Sequence, residues 1–150
     1  MQGVASLILL LVLAVGGGLA IGFLTAPGEW YAGLAKPAFN PPNWIFAPVW
    51  TVLYVLIAVA GWRIFKRDRR GWPMTLWWGQ LALNFLWSPV FFAAHDIRLA
   101  FIVILLLLAA IVAFIGLAWP QDRVAALLFA AYAAWVSFAA VLNGTILLLN

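Results

Sequence analysis

The sequence predicts an all-α integral membrane protein, built as a bundle of five transmembrane helices. Three observations lead to this prediction: 68% of the 150 residues are hydrophobic, only 8% are charged, and the apolar residues form five long runs. A soluble domain carries about 25% charged residues, so this chain has too few polar groups to cover a surface that faces water. The runs are too long for strands, and none shows the alternation of a transmembrane barrel.

The five runs have the length of membrane spans, because a hydrocarbon core of ~30 Å needs about 20 apolar residues in a helix. They form a single predicted domain over residues 1–150, with spans at 4–24, 44–65, 72–94, 98–119 and 124–148. The first run could instead be a cleaved signal peptide. It lacks the basic segment that such a peptide needs, and the sequence therefore favours a span.

The connections between the spans differ in length and composition. Three of them are short, which predicts that sequential helices are antiparallel neighbours. The link 25–43 is long and contains four prolines, together with Trp30, Tyr31 and Phe39. Prolines reduce the conformational entropy that a loop loses on folding. We expect this loop to pack as a lid over the bundle, although a plain connector is the alternative.

The placement of the cations predicts the orientation in the membrane. Five of the eight Lys and Arg residues lie in the stretch 63–70, and Arg123 joins them on the same side, which gives six cations there. The other side carries only Lys36 and Arg98. The N-terminus is therefore predicted to be cytoplasmic, with the lid loop and the C-terminus on the opposite side. Cations clustered in one link indicate a membrane anchor and not a nucleic-acid surface.

Residues for catalysis or metal binding are scarce. The chain has no cysteine and a single histidine, His95, and its four acidic residues are all predicted to lie in loops. No span contains a buried ionisable residue of the kind that proton-driven pumps carry at membrane depth. The sequence therefore predicts no metal site, no cofactor and no catalytic residue of the acid–base or nucleophilic type.

Tryptophan is the informative residue, with ten copies. Those at span ends, such as Trp44 and Trp119, are explained by the aromatic belt of membrane proteins. At about 100° per residue, the interior aromatic and polar residues form three helical stripes. They are Trp77, Gln80, Asn84, Trp87, Ser88 and Phe91 on the third span, Trp50, Tyr54, Ile57, Ala58 and Gly61 on the second, and Tyr132, Trp135, Ala139 and Asn143 on the fifth.

These stripes are expected to turn inward, because amide side chains are costly toward lipid. Counted at 1.5 Å per residue, Trp50, Asn84, Tyr54 and Trp135 lie roughly 10–20 Å below the lid side. The first span adds a stripe of small residues, Ala14, Gly18 and Gly22, which permits close helix packing or leaves room for a ligand. The pattern predicts a pocket for a flat, largely apolar ligand. The alternative for Gln80, Asn84 and Asn143 is that they only bond neighbouring helices.

Four motifs resemble one known family. They are WYAGLAKPAFNPPNWIF at 30–46, WTVLY at 50–54, QLALNFLWSPVFF at 80–92 and YAAWVSFAAVLN at 132–143. In this order and spacing, they make the chain similar to the translocator protein and tryptophan-rich sensory protein family, TspO/MBR. The likeness covers essentially the whole chain, and the absence of Lys and Arg after Tyr132 fits a bacterial member.

The resemblance implies a five-helix bundle, often a homodimer, that binds porphyrins such as protoporphyrin IX and haem. The pocket positions that it implies are Tyr31, Pro42, Trp50, Tyr54, Asn84, Trp87, Trp135 and Ala139, to which the stripes add Phe91 and Asn143. The family's animal members also bind cholesterol through a motif that needs Lys or Arg after a tyrosine. Because no Lys or Arg follows Tyr132 here, cholesterol is not an expected ligand.

Three functions are compatible with these observations. The first is a sensor or carrier that binds tetrapyrroles in the pocket, with Asn84 orienting the polar edge of the ligand and the propionates directed toward the loop. The second, proposed for the family, is an enzyme that degrades porphyrins in light, for which Trp50 or Trp135 could donate an electron. The third is a structural or regulatory membrane subunit without a saturable pocket.

Overall fold

The computed structural model describes residues 2–150, with Gln2 described by its backbone only. These residues form six helices and no strand, so the all-helical prediction is confirmed for this part of the chain. The helices are α1 (Gln2–Leu11, a π-helical turn at Val12–Gly16, and Gly17–Leu24), α2 (Glu29–Ala32), α3 (Phe46–Arg67, preceded by a 3-10 turn at Asn43–Ile45), α4 (Trp72–Ser88, continued by a π-helical turn at Pro89–Ala93), α5 (Ile97–Ala118) and α6 (Arg123–Leu149).

Four helices in this part of the chain are long and apolar enough to cross a membrane. They occupy Gly3–Leu24, Asn43–Arg67, Ile97–Ala118 and Arg123–Leu149. The third predicted span, 72–94, is not among these four. Its helical segment runs from Trp72 through the π turn to Ala93 and is as long as the segment Gly3–Leu24. It differs in composition, because it contains the polar residues Gln80 and Asn84 and two prolines, which lower its mean hydropathy.

Side-chain caps fix the starts of the last two helices. Asp96 accepts a hydrogen bond from the Leu99 N–H at 2.9 Å at the start of α5. Asp122 accepts one from the Ala125 N–H at 3.0 Å at the start of α6. These contacts satisfy N–H groups that have no partner within the helix. The acidic residues do not all lie in loops as predicted, because Glu29 forms the first turn of α2.

The five long helices pack around a shared interior. The most extensive packing joins α5 to α6 and α4 to α5, while α3 packs on α6 and α1 packs on α3. The second half of α1 also contacts α4, which closes the ring of helices. Large side chains such as Trp77, Phe114 and Tyr132 are fully buried inside. A smaller buried cluster, which includes Tyr31 and Phe91, lies beneath the lid loop.

The outer surface is apolar, as expected for a protein that faces lipid. Phe23 is 84% exposed and Leu148 is 88% exposed. Val52, Leu106 and Leu127 are also exposed large apolar residues on three different helices. A soluble monomer seldom exposes contiguous apolar surface on this scale. Together with the four spanning helices, this surface identifies an integral, multi-pass membrane protein.

Candidate functional site

The interior contains a cavity of about 540 Å³ beneath the lid loop. Every long helix and the loop contribute to its wall. The lining residues are Gly18, Leu19, Ile21, Gly22, Phe23, Thr25, Ala26, Pro27, Tyr31, Asn43, Phe46, Ala47, Trp50, Tyr54, Asn84, Trp87, Ser88, Phe91, Phe92, Ile104, Leu107, Trp135, Ala139, Leu142, Asn143 and Ile146. None of these side chains is charged, so the cavity is suited to a mainly apolar molecule.

The structure brings nine of the ten sequence-predicted pocket residues to the wall of this cavity. They are Tyr31, Trp50, Tyr54, Asn84, Trp87, Phe91, Trp135, Ala139 and Asn143. Pro42 does not line the cavity, because it is an exposed loop residue and its neighbour Asn43 occupies the wall. The sequence argument missed the contribution of α5, where Ile104 and Leu107 lie one helical turn apart. A search for polar and aromatic stripes could not find this uniformly apolar face.

Aromatic rings form the walls of the cavity. The Trp50 ring lies 5.5 Å from the Tyr54 ring, centroid to centroid, and 6.3 Å from the Tyr132 ring. On α4, the rings of Trp87 and Phe91 stack at 5.2 Å. These separations are typical of favourable aromatic pairs, which hold the rings in place. The cavity therefore presents flat, apolar surfaces from three helices, as a planar ligand would require.

A chain of hydrogen bonds crosses the bundle at the floor of the cavity. The Tyr54 hydroxyl donates to Asn84 Oδ1 at 2.8 Å, and Asn84 Nδ2 donates to the Tyr132 hydroxyl at 2.6 Å. The Tyr132 hydroxyl in turn donates to Gln80 Oε1 at 3.0 Å. Because these bonds join α3, α4 and α6, they fix the relative positions of three helices. Buried polar groups need such partners, since an unpaired one costs about 1–3 kcal/mol.

The network settles how the three interior amides are used. Gln80 is fully buried and does not line the cavity; it accepts from Tyr132 on α6 and donates to the Trp77 carbonyl of its own helix at 2.9 Å. Asn143 accepts from the Trp87 indole at 3.0 Å and donates to the Ile97 carbonyl at 3.2 Å. Asn84 and Asn143 both bond neighbouring helices and reach the cavity wall. An amide has two donor hydrogens and two acceptor lone pairs, so Asn84 keeps one N–H and one lone pair in addition to these bonds.

The indole of Trp135 has an unusual environment. Trp135 lines the cavity, and its ring lies 6.1 Å from Phe46 and 5.5 Å from Phe138. Its Nε1 atom is buried and has no hydrogen-bond acceptor within residues 2–150. An indole N–H is a donor only, and leaving it unpaired costs about 1–3 kcal/mol. The wall thus contains one donor that the described part of the protein does not satisfy.

Polar contacts join the lid loop to α4 and also hold the loop's own conformation. The hydroxyls of Thr25 and Ser88 are hydrogen bonded at 2.6 Å. The ammonium of Lys36 donates to the Tyr31 carbonyl at 2.7 Å and lies 4.7 Å from the centroid of the Tyr31 ring. Burial raises the pKa of Tyr31, and its hydrogen bond with Asn40 offsets this only in part. Tyr31 therefore stays neutral at physiological pH, which suits a loop residue whose ring is buried against Phe91.

The far edge of the loop contacts two other elements. The Asn150 side chain accepts from the Ala35 N–H at 3.0 Å and donates to the Ala35 carbonyl at 2.9 Å. His95, which follows α4 with a left-handed φ of 57°, stacks on Trp30 with ring centroids 4.2 Å apart. The loop thus packs against the bundle and supplies part of the cavity wall.

No metal site accompanies the cavity in the part of the chain that the structure describes. Residues 2–150 contain no group of three or more His, Cys, Asp or Glu side chains that could hold a metal ion. The arrangement offers apolar burial, aromatic stacking and a few hydrogen bonds, which are the means of binding a small molecule.

Comparisons with known proteins agree with these features. Residues 8–149 match the profile of the TspO/MBR family. The chain is 41% identical over 141 residues to the translocator protein of Ovis aries, which covers 89% of this chain and 82% of that protein. It is 34% identical over 145 residues to the tryptophan-rich sensory protein of Cereibacter sphaeroides, covering 97% of this chain and 92% of that protein.

An archaeal relative extends the comparison to a third group of organisms. The chain is 40% identical over 148 residues to the tryptophan-rich protein TspO of Archaeoglobus fulgidus, which covers 95% of this chain and 94% of the relative. The family match spans all five long helices and the lid loop. The chain therefore belongs to the TspO/MBR family.

Proposed function

We propose that this protein binds a tetrapyrrole, such as protoporphyrin IX or haem, in the cavity beneath the lid loop and acts as a membrane sensor or translocator. The observation that supports this most directly is the cavity of about 540 Å³ with walls of Trp50, Trp87 and Trp135. Ligand sites usually measure about 300–1,000 Å³ and combine apolar walls with a few polar groups. The names of its relatives, translocator protein and tryptophan-rich sensory protein, agree with this proposal.

The polar groups of the wall suggest how a tetrapyrrole would be oriented. The unpaired Trp135 N–H is available to a hydrogen-bond acceptor of the ligand. Asn84 keeps one donor and one acceptor for the ligand, since its other two are used by Tyr54 and Tyr132. Propionate groups would lie toward the lid, where they avoid the cost of burying a charge.

The membrane arrangement completes the proposal. The chain is a single domain in this proposal, and α4 with its π turn serves as the fifth span, since the two together rise about 30 Å. By the positive-inside rule, the cations at the end of α3 and the start of α6 support an N-terminus in the cytoplasm. The lid and the C-terminus then lie on the other side, and the protein works as a homodimer, as the resemblance implies.

A titration tests the binding and separates it from light-driven breakdown. Protoporphyrin IX is added in the dark to the purified protein in detergent, and the fluorescence of the tryptophans is followed. We expect saturable quenching, because a bound porphyrin would lie close to Trp50 and Trp135. If illumination bleaches the porphyrin faster with the protein than without it, the result would instead favour an enzyme that degrades porphyrins in light. Quenching that rises without saturation would argue against a pocket and for the structural subunit.

A further inference from the structure

A second cavity lies at the end of the bundle opposite the lid. It has a volume of about 410 Å³ and forms where α3 and α5 end and α6 begins. Its lining residues are Arg63, Arg67, Trp119, Pro120, Gln121, Asp122, Arg123 and Val124. Three arginines against one aspartate give this cavity a net positive charge, in contrast to the uncharged cavity beneath the lid.

Asp122 holds two of these arginines in place. Arg63 Nε lies 3.0 Å from both carboxylate oxygens, and Arg67 Nε lies 2.9 Å from Oδ2. Burial alone would raise the pKa of Asp122, but the Ala125 N–H and the two guanidinium groups hold it below its usual value. The carboxylate is therefore ionised at neutral pH, and its side chain is only 2% exposed. Its role is to position the guanidinium groups, and it is not open to a ligand.

The arginines keep donors for a ligand after this contact. Only the Nε atoms of Arg63 and Arg67 are bonded to Asp122, and their terminal nitrogens donate no hydrogen bond to any of residues 2–150. Each guanidinium carries five N–H donors, and these side chains are 31% and 52% exposed. The guanidinium of Arg123 lies 5.3 Å from the centroid of the Trp119 ring, a cation–π contact that also limits its motion. The N-terminus of α6, which is the positive end of its helix dipole, adds to the positive potential of the cavity.

We propose that this cavity binds the phosphate of an anionic phospholipid headgroup. Guanidinium groups bind phosphate oxygens through paired, charge-assisted hydrogen bonds, and a pocket with free arginine donors and a net positive charge selects an anion. The ends of the spanning helices place the cavity at the level of the headgroups, where basic pockets between helices bind anionic lipids. A lipid phosphate there is present at far higher local concentration than a free phosphate ion. The same chemistry would accept inorganic phosphate, and the experiment separates the two.

The test uses the full-length protein in a neutral detergent, with thermal unfolding as the measurement. Dioctanoyl phosphatidylglycerol is expected to raise the unfolding temperature in a saturable manner, because a ligand that binds the native state stabilises it by mass action. Arg67→Gln and Arg123→Gln should each weaken this binding about fivefold. Arg70→Gln is the matched control, because Arg70 is an exposed cation at the same end of the bundle that does not line the cavity. The Arg70→Gln variant should bind the lipid with the same affinity as the unaltered protein.

Three results would overturn the proposal. The first is an equal shift with dioctanoyl phosphatidylcholine, which carries no net charge. The second is an equal shift with inorganic phosphate at the same concentration, which would mean that the site takes a free anion and not a lipid. The third is an equal loss of affinity in Arg70→Gln and the two cavity variants, which would indicate diffuse attraction to the basic surface. Should Arg67→Gln not fold, Arg123→Gln decides the question alone, since the Arg123 side chain makes no hydrogen bond or ion pair within residues 2–150 and packs on the Trp119 ring.

Discussion

Two glycines on the same face of α1 provide a sharp test of how the cavity is built. Gly18 and Gly22 both line the cavity and lie one helical turn apart. A methyl group added at Gly18 would overlap the ring of Tyr54, whereas one added at Gly22 would meet no atom within 4 Å. The same substitution should therefore have different effects at the two positions.

The magnitudes follow from two opposing effects. Replacing glycine by alanine inside a helix gains about 0.8–1.0 kcal/mol at either position. Overpacking a tight interface costs about 1–3 kcal/mol, and this cost applies only at Gly18. Gly22→Ala should be as stable as the unaltered protein or slightly more so. The free energy of unfolding of Gly18→Ala should be about 1–3 kcal/mol lower than that of Gly22→Ala. For a chain of this size, each 1 kcal/mol corresponds to roughly 2–4 °C in Tm.

Thermal unfolding of both variants in one detergent measures this difference. Gly18→Ala should also bind protoporphyrin IX more weakly, since displacing Tyr54 moves the hydroxyl that bonds Asn84. If the two variants unfold at the same temperature and bind porphyrin equally, α1 does not pack on Tyr54 as described. The account of the small-residue stripe would then be wrong.

Further predictions concern the network, the buried carboxylate and the topology. Tyr132→Phe should lower the free energy of unfolding by about 1–3 kcal/mol in chemical denaturation, because it removes two hydrogen bonds between helices. Tyr31→Phe removes a single, longer hydrogen bond within the loop and should lower the free energy of unfolding by less. Equal losses in the two variants would contradict the network. The folded-state pKa of Asp122 is lowered, so its contribution to stability is present above pH ~4 and is lost as the pH falls through the folded pKa. Asp122→Asn should flatten this part of the stability–pH curve, and an unchanged curve would show that another group causes it. A reporter fused after Asn150 should read as non-cytoplasmic, and a cytoplasmic signal would remove either one span or the orientation argument.

The sequence predicted the interior better than it predicted the ends of the helices. The stripes of Gln80, Asn84 and Asn143 turn inward and are buried, as the cost of exposing amides to lipid requires. The pairing of Tyr132 with both Gln80 and Asn84 could not be read from the sequence. It depends on the register between α4 and α6, which no pattern within one helix specifies.

Features that depend on three-dimensional convergence were missed. Asp122 lies in the loop before α6 as expected, but nothing in the sequence indicated its burial or its ion pairs with two arginines at the end of α3. The π-helical turns at Val12–Gly16 and Pro89–Ala93 leave no mark in the hydrophobic pattern. The second of these continues α4 to Ala93, so that the helical segment nearly matches the predicted span 72–94.

The central proposal is that Trp50 and Trp135 form the walls of one porphyrin pocket. The most direct test is to titrate protoporphyrin IX in the dark into Trp50→Ala and Trp135→Ala, with Trp44→Ala and Trp72→Ala as controls. The two control residues are each 73% exposed and do not line the cavity. The cavity variants should lose roughly 1–3 kcal/mol of binding free energy, about 5- to 150-fold in affinity, while the controls keep the affinity of the unaltered protein. Equal affinity in all four variants, at matched thermal stability, would contradict the proposal.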